Sequence, residues 1–182
     1  MKLLNKLYEA YISSFGDYEK KRRWLIKKGA KIGEGTKINA RLDAFGTEPY
    51  LVEVGKDCLF AFGIKFITHD GGIKVLNSLN KFEKKCDKVG RIVVGNNVYI
   101  GMDAFIMPNV TIGDNCIIGA KAVVTKDVPP NSVYAGVPAR KICDLDEYYE
   151  KVKDSVHFTV GMPYDEKRKY YEAFYAKENE RK

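Results

Sequence analysis

At 182 residues, 45% of them hydrophobic, the chain is long enough for one folded domain with terminal attachments and too apolar for disorder. Its net charge of +7 suits either solubility or attraction to a phosphorylated ligand, and no nucleic-acid-binding module accompanies it. The longest apolar run, Cys58 to Ile64, is too short to span a bilayer, and Cys58, Cys86, Cys116 and Cys143 form no C-x-x-C pair, so reduced thiols and a cytoplasmic location are expected.

Residues 2–28 alternate Leu3, Leu4, Leu7, Tyr8, Tyr11 and Ile12 with Lys2, Lys6 and Glu9. That is an amphipathic helix pattern, ending in the basic run Lys20-Lys21-Arg22-Arg23. Residues 1–29 are predicted to cap one end of the domain that follows.

The central segment is read by its period. Val94, Ile100, Ile106, Ile112, Ile118 and Val124 recur every sixth residue, and four residues after each comes Val98, Ala104, Val110, Cys116, Ala122 or Val128. A period of six fits neither a helix nor an alternating strand. It fits a short strand and a tight turn, repeated around the three sides of a triangular prism, with the aliphatic residue pointing inward. Gly95-Asn96-Asn97 returns as Gly113-Asp114-Asn115 eighteen residues later, one full coil of three hexapeptides. The same corner occurs earlier, at Gly33-Glu34-Gly35 and Gly55-Lys56-Asp57. Ile32 and Val54 are 22 residues apart, and Val54 and Val94 are 40 apart. Two insertions are therefore predicted: a small one near Phe45 to Tyr50, and a protruding loop of about residues 70–91. Residues 30–141 form this repeat domain. Residues 142–182 are predicted to be a helical extension, with Tyr170, Tyr171, Phe174 and Tyr175 on a packing face.

There are two histidines. His157 lies outside the repeat, where a structural role is expected. His69 stands in Ile67-Thr68-His69-Asp70-Gly71-Gly72, where the coil ends and the long loop begins. A lone histidine is usually structural, but the mouth of an inserted loop beside two glycines favours chemistry. Imidazole titrates near neutrality and can take a hydroxyl proton and return it to a leaving group. Asp70 is the adjacent candidate for fixing its tautomer.

These hexapeptides, the His69-Asp70-Gly71-Gly72 run and the stretch Ile92 to Arg140 resemble the hexapeptide-repeat acyltransferases. The closest resemblance is to sugar O-acetyltransferases of the capsule and O-antigen type, and it covers roughly residues 30–143. It implies an all-β fold, a left-handed parallel β-helix with N- and C-terminal helical segments. It also implies a homotrimer, acetyl-CoA as acyl donor, a saccharide or a nucleotide- or lipid-linked sugar as acceptor, and His69 as general base. In such proteins pantetheine runs in the groove between neighbouring prisms and bonds to backbone groups. By motif, Tyr99-Ile100-Gly101-Met102 stands where the family carries tryptophan first and serine last, and the Met102 N–H would face the thioester oxygen. Gly119-Ala120 matches a second backbone contact, and Thr125 and Lys126 the adenosine end. Arg140 closes the Ala135-to-Arg140 turn and, with Lys126, is a candidate partner for phosphate. On the acceptor side, Asp43 stands where the family places a contacting Asn, and Glu48 and Asp70 are further candidates. Other acceptors (an amino sugar, an antibiotic, serine) and a non-catalytic scaffold are the competing readings. A zinc carbonic anhydrase on this fold needs three histidines, so no metal is expected.

Overall fold

The protein, seen in a computed structural model, is described over residues 2–179, with side chains described over 6–177. The amphipathic N-terminal pattern forms two helices, α1 (Lys2–Phe15) and α2 (Tyr18–Lys27). Gly16 and Asp17 separate them, and the Asp17 carboxylate caps α2 by accepting from the Lys20 N–H at 2.8 Å.

The chain then winds through short strands. The first coil holds β1 (Lys31–Ile32) and β2 (Lys37–Ile38), with a 3₁₀ turn, Leu42–Phe45, on its third side. The second holds β3 (Val52–Val54), β4 (Leu59–Phe60) and β5 (Lys65–Phe66), and from it leaves a loop containing α3 (Ile73–Ser78). The third holds β6 (Ile92–Val94), β7 (Tyr99–Ile100) and β8 (Phe105–Ile106), and the fourth β9 (Thr111–Ile112), β10 (Ile117–Ile118) and β11 (Val123–Val124). Strands from successive coils pair in parallel, giving three sheets: β1-β3-β6-β9, β2-β4-β7-β10-β12 and β5-β8-β11. The strand β12 (Ser132–Ala135) ends the second sheet's parallel run, and β13 (Arg140–Asp144) pairs with it antiparallel. The boundary expected after residue 141 therefore falls inside a strand. The reason is local: once the hexapeptides stop after Val128, the chain turns back at Gly136 and hydrogen-bonds along the last strand.

The register explains the period. Ile32, Val54, Val94 and Ile112 stack in one sheet, Ile38, Phe60, Ile100 and Ile118 in the second, and Phe66, Ile106 and Val124 in the third. All are buried in one apolar column, together with the smaller Cys58, Val98, Ala104, Cys116 and Ala122. A fully buried isoleucine contributes about 1.5–3 kcal/mol, so each coil adds several such increments. One corner is held by an amide ladder: Asn97 donates to Asn115 and Asn115 to Asn131, each at 2.9 Å. All three sit at positive φ, 53° to 56°, a region asparagine tolerates better than most residues.

The open end of the first coil would expose carbonyls, and α2 covers them. The buried Lys21 donates its ammonium to the Ala40 carbonyl at 2.9 Å, and Arg22 Nε donates to those of Ile32 and Gly33. Leu25 fills the apolar centre of the same cap. This end is thus closed both polar and apolar, as a repeat terminus requires.

Residues 149–182 form a second compact unit. The aromatic face of the last helix, Tyr164–Asn179, closes on the preceding segment. His157 accepts or donates a 2.9 Å bond with the Tyr170 hydroxyl and lies edge-on to Phe174, and Thr159 bonds the Tyr171 hydroxyl at 3.0 Å. No helix among the described residues is long and apolar enough to cross a membrane.

Candidate active site

Both insertions leave the prism at the same edge, where the third sheet turns into the first. In the first coil this edge is Gly46-Thr47-Glu48, followed by a 3₁₀ turn, Pro49–Leu51. One coil later it is Thr68-His69-Asp70. The two are packed closely: a Cβ on Gly46, whose φ is +65°, would lie 3.1 Å from Thr68 Oγ1. Only glycine gives the turn both its conformation and that clearance.

The consequence is a dyad. Glu48 Oε2 lies 3.2 Å from His69 Nδ1 and accepts a 2.7 Å hydrogen bond from the Thr68 hydroxyl. Glu48 Oε1 accepts from the Thr47 hydroxyl at 2.5 Å. The hydroxyls of Thr47 and then Thr68, followed by His69, hold the Glu48 carboxyl below its ordinary pKa, so it is ionised at neutral pH. Thr68 is buried, Glu48 largely so, and His69 half-exposed. A carboxylate anchored by two hydroxyls and facing Nδ1 is what orients an imidazole.

The long loop is ordered by its own stem. Asp70 N–H donates to Lys88 O, and Gly90 N–H to Thr68 O, each at 2.8 Å, with His69 opposite Val89. Inside the loop, Asn77 exchanges hydrogen bonds with the Cys86 backbone. The loop and the small insertion together line an open cavity of about 670 Å³, bordered among others by Glu48, Tyr50, His69, Ile73, Asn77 and Lys85.

The expected site residues divide into groups. His69, Glu48 and Asp70 come together at this cavity. Asp70 does not orient the histidine: Lys88, at 3.0 Å, holds its carboxylate and lowers its pKa, and it also accepts from the Gly72 N–H. Asp43 is exposed, pairs with Lys65 at 2.9 Å, and is not among the residues lining the cavity. Met102 and Ala120 stack on successive coils at another edge, between the second and third sheets, where Lys121 N–H donates to Met102 O at 2.7 Å. Gly101 makes this stack possible, since a Cβ on it would lie 2.5 Å from the Ala120 nitrogen. Thr125 and Lys126 are exposed on the histidine's own edge, two coils further on, in a turn fixed by Asp127 accepting from Thr111 N–H at 2.7 Å. Arg140 is exposed on β13, with its guanidinium on the Ala139 carbonyl.

Thr47, Thr68, Tyr50, Asn77 and Lys85 were not singled out by the sequence, although one signal was present. Corresponding residues in the first two coils are 22 apart, so Thr47 is one coil before His69, and Glu48 follows it directly. Among the described residues no group of three His, Cys, Asp or Glu side chains could hold a metal ion.

With this geometry in hand, similarity to known proteins is informative. The family described as "Bacterial transferase hexapeptide (six repeats)" matches residues 91–126. Protein CapG of Staphylococcus aureus is 39% identical over 145 residues, 79% of this chain and 83% of that protein. Galactoside O-acetyltransferase of Escherichia coli K12 is 38% identical over 135 residues, 70% of this chain and 64% of that protein. A galactoside acetyltransferase solved in complex with coenzyme A shares the fold, at a TM-score of 0.52 and 23% identity, over 81% of this chain and 82% of that one. The coil, the column of aliphatic side chains and these relatives agree: the chain belongs to the bacterial hexapeptide-repeat transferase family and is an acyltransferase.

Proposed function

We propose that the protein transfers an acetyl group from acetyl-CoA to a hydroxyl of a saccharide, free or carried on a nucleotide or lipid. The observation that carries this reading is the Glu48–His69 pair facing a cavity with room for a saccharide. With Nδ1–H donated to Glu48, Nε2 keeps its lone pair for the acceptor. The acceptor hydroxyl loses its proton to Nε2 as its oxygen attacks the thioester carbonyl. The tetrahedral intermediate collapses, the C–S bond breaks, and the imidazolium returns the proton to the departing CoA thiolate. Glu48 stabilises the imidazolium between these steps. The relatives named for acetyl transfer to galactosides support a sugar acceptor.

The donor side is built from Met102 and Ala120, whose N–H groups make no backbone hydrogen bond among the described residues and can bond pantetheine and the thioester oxygen, and from Thr125, Lys126 and Arg140 for the phosphates and adenosine. Met102 lies on a different edge from His69, so one chain does not bring donor and base together. A homotrimer of left-handed prisms, each presenting one edge to the next chain's histidine edge, completes the site. We place it in the cytoplasm, where acetyl-CoA is available. A thiol-release assay with acetyl-CoA over a panel of sugars, nucleotide sugars, serine and aminoglycosides tests the reading. Acceptor-dependent release with sugars is expected. Release only with serine or an antibiotic would move the acceptor, and none with any would favour a scaffold.

A further inference from the structure

We propose that the helical end of the prism, formed by α1 and α2, is a docking surface for an anionic membrane. Helix α1 buries Ile12 and Ser13 against the rest of the chain but turns Leu7, Tyr8, Tyr11 and Phe15 to solvent, with Phe15 78% exposed. At 100° per residue these four fall within a single arc of about 100°. Tyr11 and Phe15 touch each other, with ring centroids 5.9 Å apart, and all four side chains stay more than half exposed among the described residues. A continuous aromatic and aliphatic face of this kind costs solubility unless something binds it.

The charge beside the stripe says what. A cleft between the two helices is lined by Tyr8 and Trp24 and by Lys20, Arg23, Lys27 and Lys28, with Glu9 the only acid among its lining residues. Lys20 is paired with Asp17 and Arg23 with Glu19, Lys21 is buried in the cap, and Arg22 is bound to Glu19 and to the coil. Lys27 and Lys28 have no acidic partner among the described residues, and Lys28 rests over the Trp24 ring at 4.9 Å. Tyr8 belongs to both features: it lies on the stripe and lines the cleft. Aromatic rings for the headgroup boundary, next to ammonium groups for lipid phosphate, is the composition of an interfacial anchor. The placement also has a consequence. Gly29, which ends α2 at a φ of +96°, abuts Tyr50, where a Cβ would lie 2.8 Å away. Tyr50 is a wall of the His69 cavity, so a bilayer met by this end lies beside that cavity.

The test is co-sedimentation with phosphatidylcholine vesicles, with and without phosphatidylglycerol, at low and high salt. The protein should pellet with the anionic vesicles at low salt and be released by salt. Lys27→Glu with Lys28→Glu should weaken binding roughly tenfold or more, and Phe15→Ser several-fold, with circular dichroism and turnover on a soluble acceptor unchanged. Lys28→Gln serves in place of the charge reversal should that variant fold poorly. Absent pelleting, or equal pelleting with neutral vesicles, overturns the proposal. So does a Phe15→Ser variant that keeps vesicle binding but changes molecular mass in light scattering, which would make the stripe a contact between copies of the chain.

Discussion

From Ile92 to Val128 the coil runs without an insertion, whereas from Lys31 to Gly90 it is broken twice at one edge. In the unbroken part every inward position is an aliphatic side chain or Cys116, and one edge is held by the Asn97-Asn115-Asn131 ladder. In the broken part the same inward column persists through Val54, Phe60 and Phe66, but the chain beyond it carries the cavity, the histidine and its carboxylate. The column is thus indifferent to what leaves the corner, because each coil's core contacts are made by two inward residues per side. Insertions at a corner cost only loop closure, which grows slowly with length. Chemistry can accumulate there while the scaffold stays rigid.

The largest expected effect separates the two regions by removing the chemistry alone. His69→Ala should lower turnover by roughly 10²–10⁴, the usual contribution of a positioned general base. It should leave stability within about 0.5 kcal/mol, because the side chain is half-exposed and lies outside the apolar column. Turnover and urea denaturation on the same preparation check both halves. A drop in turnover of less than tenfold would remove His69 as the base, and an unfolded variant would make the edge part of the scaffold.

The converse change attacks the column. Ile118→Ala removes a fully buried side chain stacked under Ile100 and should cost about 2–5 kcal/mol in unfolding free energy. Val75→Ala, in the protruding loop and 61% exposed, should stay within about 0.5 kcal/mol. Similar losses in the two variants would mean that the loop is as integral to folding as the coil.

A smaller effect sharpens what the unbroken corners need. Asn115 combines a φ of 55° with two ladder hydrogen bonds. Asn115→Ala loses both and should cost about 1–2 kcal/mol from conformation alone. Asn115→Gly loses the bonds but keeps the conformation, so it should cost less. If the two variants melt together, the ladder rather than the left-handed turn holds the corner.

How much of this could be read from the residues follows the same division. The period of six gave the strands, the inward column and both insertions, because each depends on local spacing that the chain repeats. His69 was legible from its place at the end of a coil. Glu48 was seen only as a candidate for the acceptor, since its approach to His69 depends on the stacking of two interrupted coils rather than on adjacency. Asp70, the nearer residue, faces Lys88 because the loop stem brings that lysine back across it. The antiparallel strand β13 escaped for a different reason: no period extends beyond Val128, and its pairing is set by the turn at Gly136.

The smallest expected effect concerns the carboxylate that joins the two insertions. In the folded protein, hydrogen bonds from Thr47 and Thr68, and then His69, hold the Glu48 carboxyl below its ordinary value of 4.5. A folded-state pKa below the unfolded one means that the ionised group favours folding above pH 4.5. That contribution is lost as pH falls through the lower, folded value. Glu48→Gln cannot ionise, so it should be slightly less stable than the parent at neutral pH, by less than about 1 kcal/mol given that the amide keeps some of the bonds. The gap between the two proteins should then narrow as pH is lowered from 4.5, since only the parent loses this term. Unfolding midpoints of both proteins across that range supply the measurement. A gap that stays constant, or widens toward acid, would mean that Glu48 is not held ionised by Thr47, Thr68 and His69.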